Sequence, residues 1–263
     1  MKKTLLYLDE DLQSSIALRY ADYLSTMIDT EIHIVHVEEP DMKEQAGTGW
    51  VRRSWEAGVI ETGAQVIERL MKTEKIKCRI NGAPKIFIGD KDSEVLAEIR
   101  QGAYDIYMEG HIDTGSVDKF FDVISAKRYQ QTACPKLMVK NLTVSDKVAI
   151  LLGEGVAHRE LFERCRPVVK DSKFTVDIIY FKYRNQDNLT LEDASEGGND
   201  VSETADLLAG AGIKVTGEEV ICGTPEQAGD FLRNYAFIIY SLPERRSLRM
   251  EVLAHSPASL FLC

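Results

Sequence analysis

Cysteine pairs at metal or redox spacing, long apolar runs and an excess of basic residues are all missing from this 263-residue chain. Its five cysteines, Cys78, Cys134, Cys165, Cys222 and Cys263, are odd in number and widely spaced, with no Cys-x-x-Cys among them. A zinc ribbon and a thioredoxin-like motif are therefore excluded, and reduced thiols in or beside apolar stretches are expected. No apolar run approaches the roughly 20 residues that cross a bilayer. The short run at residues 5–8 is closed at once by Asp9, Glu10 and Asp11. A signal peptide needs a longer apolar core and a small-residue cleavage site, so the start reads as a first strand and the expected compartment is the cytoplasm. The net charge is -10 and the pI about 5.1. Neutralising a duplex needs an excess of lysine and arginine, and so does holding an anionic membrane surface. Neither partner is expected.

What is present is an ordinary globular composition, 44% hydrophobic and 28% charged. The chain also repeats itself. Ile88-Gly89-Asp90 leads through a helical stretch to Tyr104-Asp105-Ile106-Tyr107-Met108, and Cys222-Gly223-Thr224-Pro225 leads similarly to Ala236-Phe237-Ile238-Ile239-Tyr240. Each half ends on a short apolar run, at 136–139 and 259–262. A repeat of this length is a domain and not a solenoid unit. Two domains are expected, over residues 1–142 and 145–263, each long enough to bury its own core.

Periodicity places strands near 5–8, 32–37, 85–88, 104–108 and 136–139. Helices fall between them: 14–24 with Ser14 as N-cap, one around Trp55 running to about 73, one capped by Asp92 or Ser93, and one over 117–131. The second half restarts at 148–153, with a helix over 161–169, a strand over 175–181, a polar loop over 182–199 and a helix over 203–211 ended by Gly212. Strands alternating with helices mean βαβ units. The fold class is α/β: two tandem open, doubly wound, mostly parallel sheets, Rossmann-like.

The strand ending in Asp9, the run His33-Ile34-Val35-His36-Val37-Glu38-Glu39-Pro40, the stretch Tyr104 to His111 and the closing Ala133-Cys134-Pro135-Lys136-Leu137-Met138-Val139 together resemble the universal stress protein family. The resemblance covers almost all of the first half and is carried in the second by the strands and the Gly223-Thr224-Pro225 turn. It implies a tandem stress protein with adenine-nucleotide alpha-hydrolase-like domains. Some members bind ATP through Gly-x-x-Gly, nine residues, then Gly-Ser or Gly-Thr, because glycines let the backbone approach phosphates and helix N-terminal amides attract them. By that resemblance Asp9 and Val37 would frame an adenosine, Gly110 matches the first glycine, and His111 sits beside it. The second glycine falls on Asp113, and the Gly-Ser pair on Asp122-Val123 or Val123-Ile124. Asp113 brings negative charge toward phosphate, a repulsion of several kcal/mol at about 4 Å near a protein surface. In the second half Gly153 stands for Asp9, and Ser241-Leu242-Pro243-Glu244 carries no glycine. Pro243 there is expected at the first position of a helix.

Other chemistry is poorly supported. His33 and His36 are three apart on a strand and face opposite ways, so they cannot share a metal. His158 and His255 lack ligands at suitable spacing. No nucleophile elbow and no P-loop occurs. The expectation is a non-catalytic stress-response protein, with no catalytic or metal residue and no resident cofactor, acting through an unknown protein partner or a small ligand. The alternatives are an ATP- or AMP-binding switch in the first domain, using Asp9, Val37, Gly110, His111 and Asp113, and an enzyme on the same fold. The closing strands are expected to pair the domains as an intramolecular pseudo-dimer, and a homodimer is a further expectation.

Overall fold

A computed structural model describes residues 1–39, 50–112 and 116–263. The first half runs β1 (Lys2–Tyr7), α1 (Leu12–Met27), β2 (Thr30–Glu38), α2 (Trp50–Glu74), β3 (Lys85–Ile88), α3 (Lys91–Gly102), β4 (Ile106–Gly110), α4 (Val117–Ile124), α5 (Lys127–Gln130) and β5 (Lys136–Val139). The second runs β6 (Lys147–Leu152), α6 (His158–Val169), β7 (Thr175–Tyr183), β8 (Thr190–Glu192), α7 (Asn199–Gly210), β9 (Val215–Gly223), α8 (Pro225–Phe231), β10 (Phe237–Tyr240), α9 (Leu248–His255) and β11 (Ser259–Leu262).

Among the described residues the two sheets join edge to edge into one of eleven strands, ordered β3-β2-β1-β4-β5-β11-β10-β6-β7-β9-β8. Pairing within each half is parallel except for β8 on β9. At the seam β5 and β11 run antiparallel, with Met138 opposite Leu260 and Leu137 opposite Phe261. The two closing strands thus form the expected intramolecular pseudo-dimer, and each covers the edge the other would expose.

Both faces of the seam are dry. On one, Leu6, Met108 and Leu137 share a core with Val148, Ile150, Phe237 and Phe261; on the other, Phe120 and Met138 pack with Leu260, Leu262 and Met250. Tyr20 on α1 donates its hydroxyl across the seam to Ala236 O at 2.7 Å. Lys140, just after β5, donates its ammonium to Leu253, Ala254 and Ser256 carbonyls at 3.1, 3.3 and 2.7 Å. Those are the orphan carbonyls at the end of α9, where a cation is favoured.

Several local expectations are corrected. Helix α1 starts earlier than expected, capped by Asp11, whose carboxylate accepts from Ser14 N at 2.8 Å. Ser14 instead accepts from Asp9 N at 2.7 Å, which fixes the turn between β1 and α1. Asp90, not Asp92 or Ser93, caps α3. The helix expected over 117–131 breaks at Ala126, whose backbone is extended, into α4 and α5. The stretch expected as a loop over 182–199 contains β8, tied down by Glu192 between Lys182 and Arg184. Pro243 lies in a loop, and the following helix starts at Leu248 behind a Ser247 cap. Among the described residues no helix is long and apolar enough to cross a membrane.

Candidate functional site

In an open α/β sheet, ligands bind beyond the carboxyl ends of the strands, where the strand order reverses. In the first half that place lies between β1 and β4. Asp9, Gly110 and His111 do meet there, lining a crevice of about 190 Å³ with Tyr7, Lys91, Glu109 and Arg128. Asp9 is engaged by its neighbours: Tyr7 Oη donates to one carboxylate oxygen at 3.2 Å and Glu10 N to the other at 2.8 Å. Burial, and then the Asp9 charge, push the Tyr7 phenol well above its usual range. Val37 does not line the crevice. Its side chain is buried among Leu5, Val35 and Val95. Asp113 lies outside the described residues. Of the remaining motif positions, Val123 reaches the crevice and Asp122 is exposed.

Gly110 has a packing reason to be glycine. A β-carbon there would stand 2.1 Å from Gln13 O on α1, a backbone atom that cannot swing away. Gly110→Ala is therefore expected to cost about 1–3 kcal/mol through overpacking, read as a lower urea midpoint at unchanged m-value. An unchanged midpoint would leave the glycine free for a ligand role.

The crevice is dominated by a residue that the sequence reading passed over. Glu109, 3% exposed, lies one residue before the end of β4 with its carboxylate inside. Arg128 Nε reaches both its oxygens at 3.2 Å, Lys91 Nζ stands 3.2 Å away, and Tyr107 Oη donates at 2.8 Å. Arg128 also holds Asp92 at 2.6 Å, so the two cations and two anions balance. Burial alone would raise the Glu109 pKa. Lys91 and Arg128 outweigh it and hold the carboxyl down at about 2. Lys91 lies 3.6 Å over the Tyr7 ring, which closes the network onto β1. The one sequence signal was a lone acid at the end of an otherwise apolar strand run, Ile106-Tyr107-Met108-Glu109.

The second half is more open. A cavity of about 570 Å³ lies between the β6–α6 loop, the end of β10 and the start of β5. Another of about 550 Å³ is lined by Tyr180, Lys182, Arg184 and Leu248. Arg249 borders both. It packs over Gly153, where a β-carbon would meet Arg249 Cδ at 3.0 Å, and it donates from Nε to Tyr240 Oη at 2.9 Å. At Gly153, the residue expected to stand for Asp9, there is thus no acid, and the Arg249 side chain lies against it.

A solved universal stress protein from Archaeoglobus fulgidus superposes on the whole chain, covering 100% of it and 96% of that protein, with a TM-score of 0.62 at 17% identity. The chain has the tandem universal stress protein fold. A functionally unknown protein from Pseudomonas aeruginosa superposes on this tandem fold over 100% of the chain and 92% of its own, with a TM-score of 0.55 at 13% identity. No protein-family model matches the sequence, and no curated protein matches it. On the tandem stress-protein frame, the histidines fall outside the crevices just described, apart from His111. His33 pairs with Glu31 at 3.1 Å, and His36 lies between Leu8 O at 2.8 Å and Glu38 at 3.0 Å. His158, which lacks partners along the sequence, finds Glu203 at 3.2 Å and Asp200 at 3.6 Å on α7, and His255 finds Glu226 at 3.4 Å. Among the described residues no group of three acids, cysteines or histidines is arranged to hold a metal.

Proposed function

We propose that this chain is a non-catalytic stress-response protein of the cytoplasm that acts by binding a protein or a small ligand, and that its first-half crevice does not take a nucleotide. The observation that carries the reading is the Glu109 network. A buried carboxylate held by two cations stands next to Gly110, the first glycine of the phosphate motif by resemblance, and the 190 Å³ of the crevice is below the roughly 300–1,000 Å³ of small-molecule sites. Asp9, Gly110 and His111 keep the frame of a nucleotide site without its room, with Val37 behind them in the core. The five free thiols suit a reducing compartment. The pairing that a homodimer would make between subunits is made here within the chain by β5 and β11.

A nucleotide switch in the first half is the second reading, favoured by the convergence of Asp9, Gly110 and His111 on one crevice. Thermal melting with and without magnesium ATP separates the two. Saturation at a hundred times the dissociation constant adds about 2.7 kcal/mol, a shift of several degrees. The binding-protein reading expects no shift at millimolar ATP. A shift that Asp9→Ala abolishes would establish the switch instead.

A further inference from the structure

The 570 Å³ cavity lies at the seam, and its walls come from both halves. Lys136 enters it from β5 and Arg249 from α9. Lys136 is 3% exposed, and buried lysines are almost always paired with an acid. Its ammonium has three donors, and Thr132 O at 2.8 Å takes one. Among the described residues no carboxylate stands within ion-pair distance of it. The thiols beside it do not supply the charge. Burial pushes Cys134 up to about 11 and Cys263 to about 12, so both are neutral at pH 7. Burial lowers the Lys136 pKa, and the positive charge of Arg164 acts the same way. Arg249 likewise forms no ion pair among the described residues; its hydrogen bond goes to the Tyr240 hydroxyl. Of the two acidic side chains that line the cavity, Glu160 is held by Arg164 at 2.7 Å and Glu244 sits exposed at the rim. Val156, Leu161 and Leu242 supply apolar wall.

We propose that this seam cavity is a binding site for a small organic anion, its phosphate or carboxylate group taken by Lys136 and Arg249 and its apolar part lying against Val156, Leu161 and Leu242. The volume falls in the range of small-molecule sites. An anion supplies the acceptors that the buried ammonium lacks, and a charge-assisted hydrogen bond out of water is among the stronger contacts available. The site needs both halves, since neither β5 nor α9 alone brings the two cations together. It stands apart from the first-half crevice, so the outcome there does not bear on it.

The test is titration calorimetry of the full chain at fixed ionic strength, with inorganic pyrophosphate and citrate as separate probes and the neutral polyol erythritol as control. Saturable one-site heat is expected from at least one anion and none from erythritol. Pyrophosphate alone would point to a phosphorylated ligand and citrate alone to a carboxylate. Lys136→Met and Arg249→Gln are each expected to weaken binding by about tenfold or more, the usual cost of a hydrogen bond to a charged group. Arg249 is only half-buried, so its variant keeps the test open if Lys136→Met does not fold. Heat from neither anion, or binding undiminished in both variants, would overturn the proposal.

Discussion

Glu109→Ala is expected to destabilise the protein by about 3 kcal/mol, because it leaves the half-buried Lys91 without an anion and Arg128 with Asp92 alone. In a chain of this size that lowers the melting temperature by about 10 °C. Two further results separate this cause from a simple loss of packing. Millimolar phosphate should recover part of the loss in the variant and do nothing for the parent protein, since only the variant leaves Lys91 unpaired and Arg128 with a single anion. Removing the central pair, as in Glu109→Met with Arg128→Met, should cost less than Glu109→Ala alone, because the pair is replaced by apolar groups and the Lys91 and Asp92 that remain are of opposite sign and reach water. The pH dependence has a defined sign. The folded pKa of Glu109 is depressed to about 2 from an ordinary 4.5. Its contribution of about 3 kcal/mol is therefore present in full above the ordinary value and lost as pH falls toward 2. Acid unfolding of Glu109→Ala should show a correspondingly shallower slope across that window. A variant as stable as the parent would mean that the network contributes nothing to the closed crevice.

The second large effect is at the seam. Phe261 on β11 is 1% exposed and sits opposite Leu137, against Phe237 at a ring distance of 5.5 Å. Phe261→Ala should cost about 3–5 kcal/mol, the transfer of the ring plus the cavity it leaves. More telling is the form of the transition. Because one core cluster takes residues from both halves, the parent and the variant should each unfold in a single step, with calorimetric and van't Hoff enthalpies equal. Two resolved steps, with only the later one displaced by the mutation, would show that the halves are independent domains that merely touch.

Much of the fold could be read from the sequence, for reasons visible in particular segments. The runs at residues 5–8 and 136–139 are short and mostly apolar, which is the pattern of a strand buried on both faces, and the run at 85–88, between Pro84 and Gly89, gives the edge strand β3. The repeat then supplied the second half by analogy. What could not be read depended on contacts far along the chain. Strand β8 exists because Thr190 to Glu192 pair antiparallel with Val220 to Cys222 on β9, about thirty residues on. Strand β9 begins with the alternation of a half-exposed edge, Val215-Thr216-Gly217-Glu218-Glu219, in which the apolar signal is thin. Helix α4 stops at Ile124 because Lys127 N instead donates to Asp92 on α3 at 3.0 Å.

The candidate site was legible in outline and hidden in its chemistry. Asp9 and Gly110 stood out by their place at strand ends, and Asp9, Gly110 and His111 do converge. The residue that determines what the crevice can hold, Glu109, is one position from Gly110. Its meaning depends on Arg128, nineteen residues on, and Lys91, eighteen back. The seam cavity was less visible still. It is made when Lys136 and Arg249, over a hundred residues apart, come to line one cavity at the seam of β5 with β11.

Equilibrium dialysis of magnesium ATP against the full chain tests the closed crevice most directly. The account expects no saturable binding at millimolar nucleotide in the parent protein. One ATP bound per chain at micromolar affinity, lost in Asp9→Ala and kept in Arg249→Gln, would place the nucleotide in the first-half crevice and contradict it.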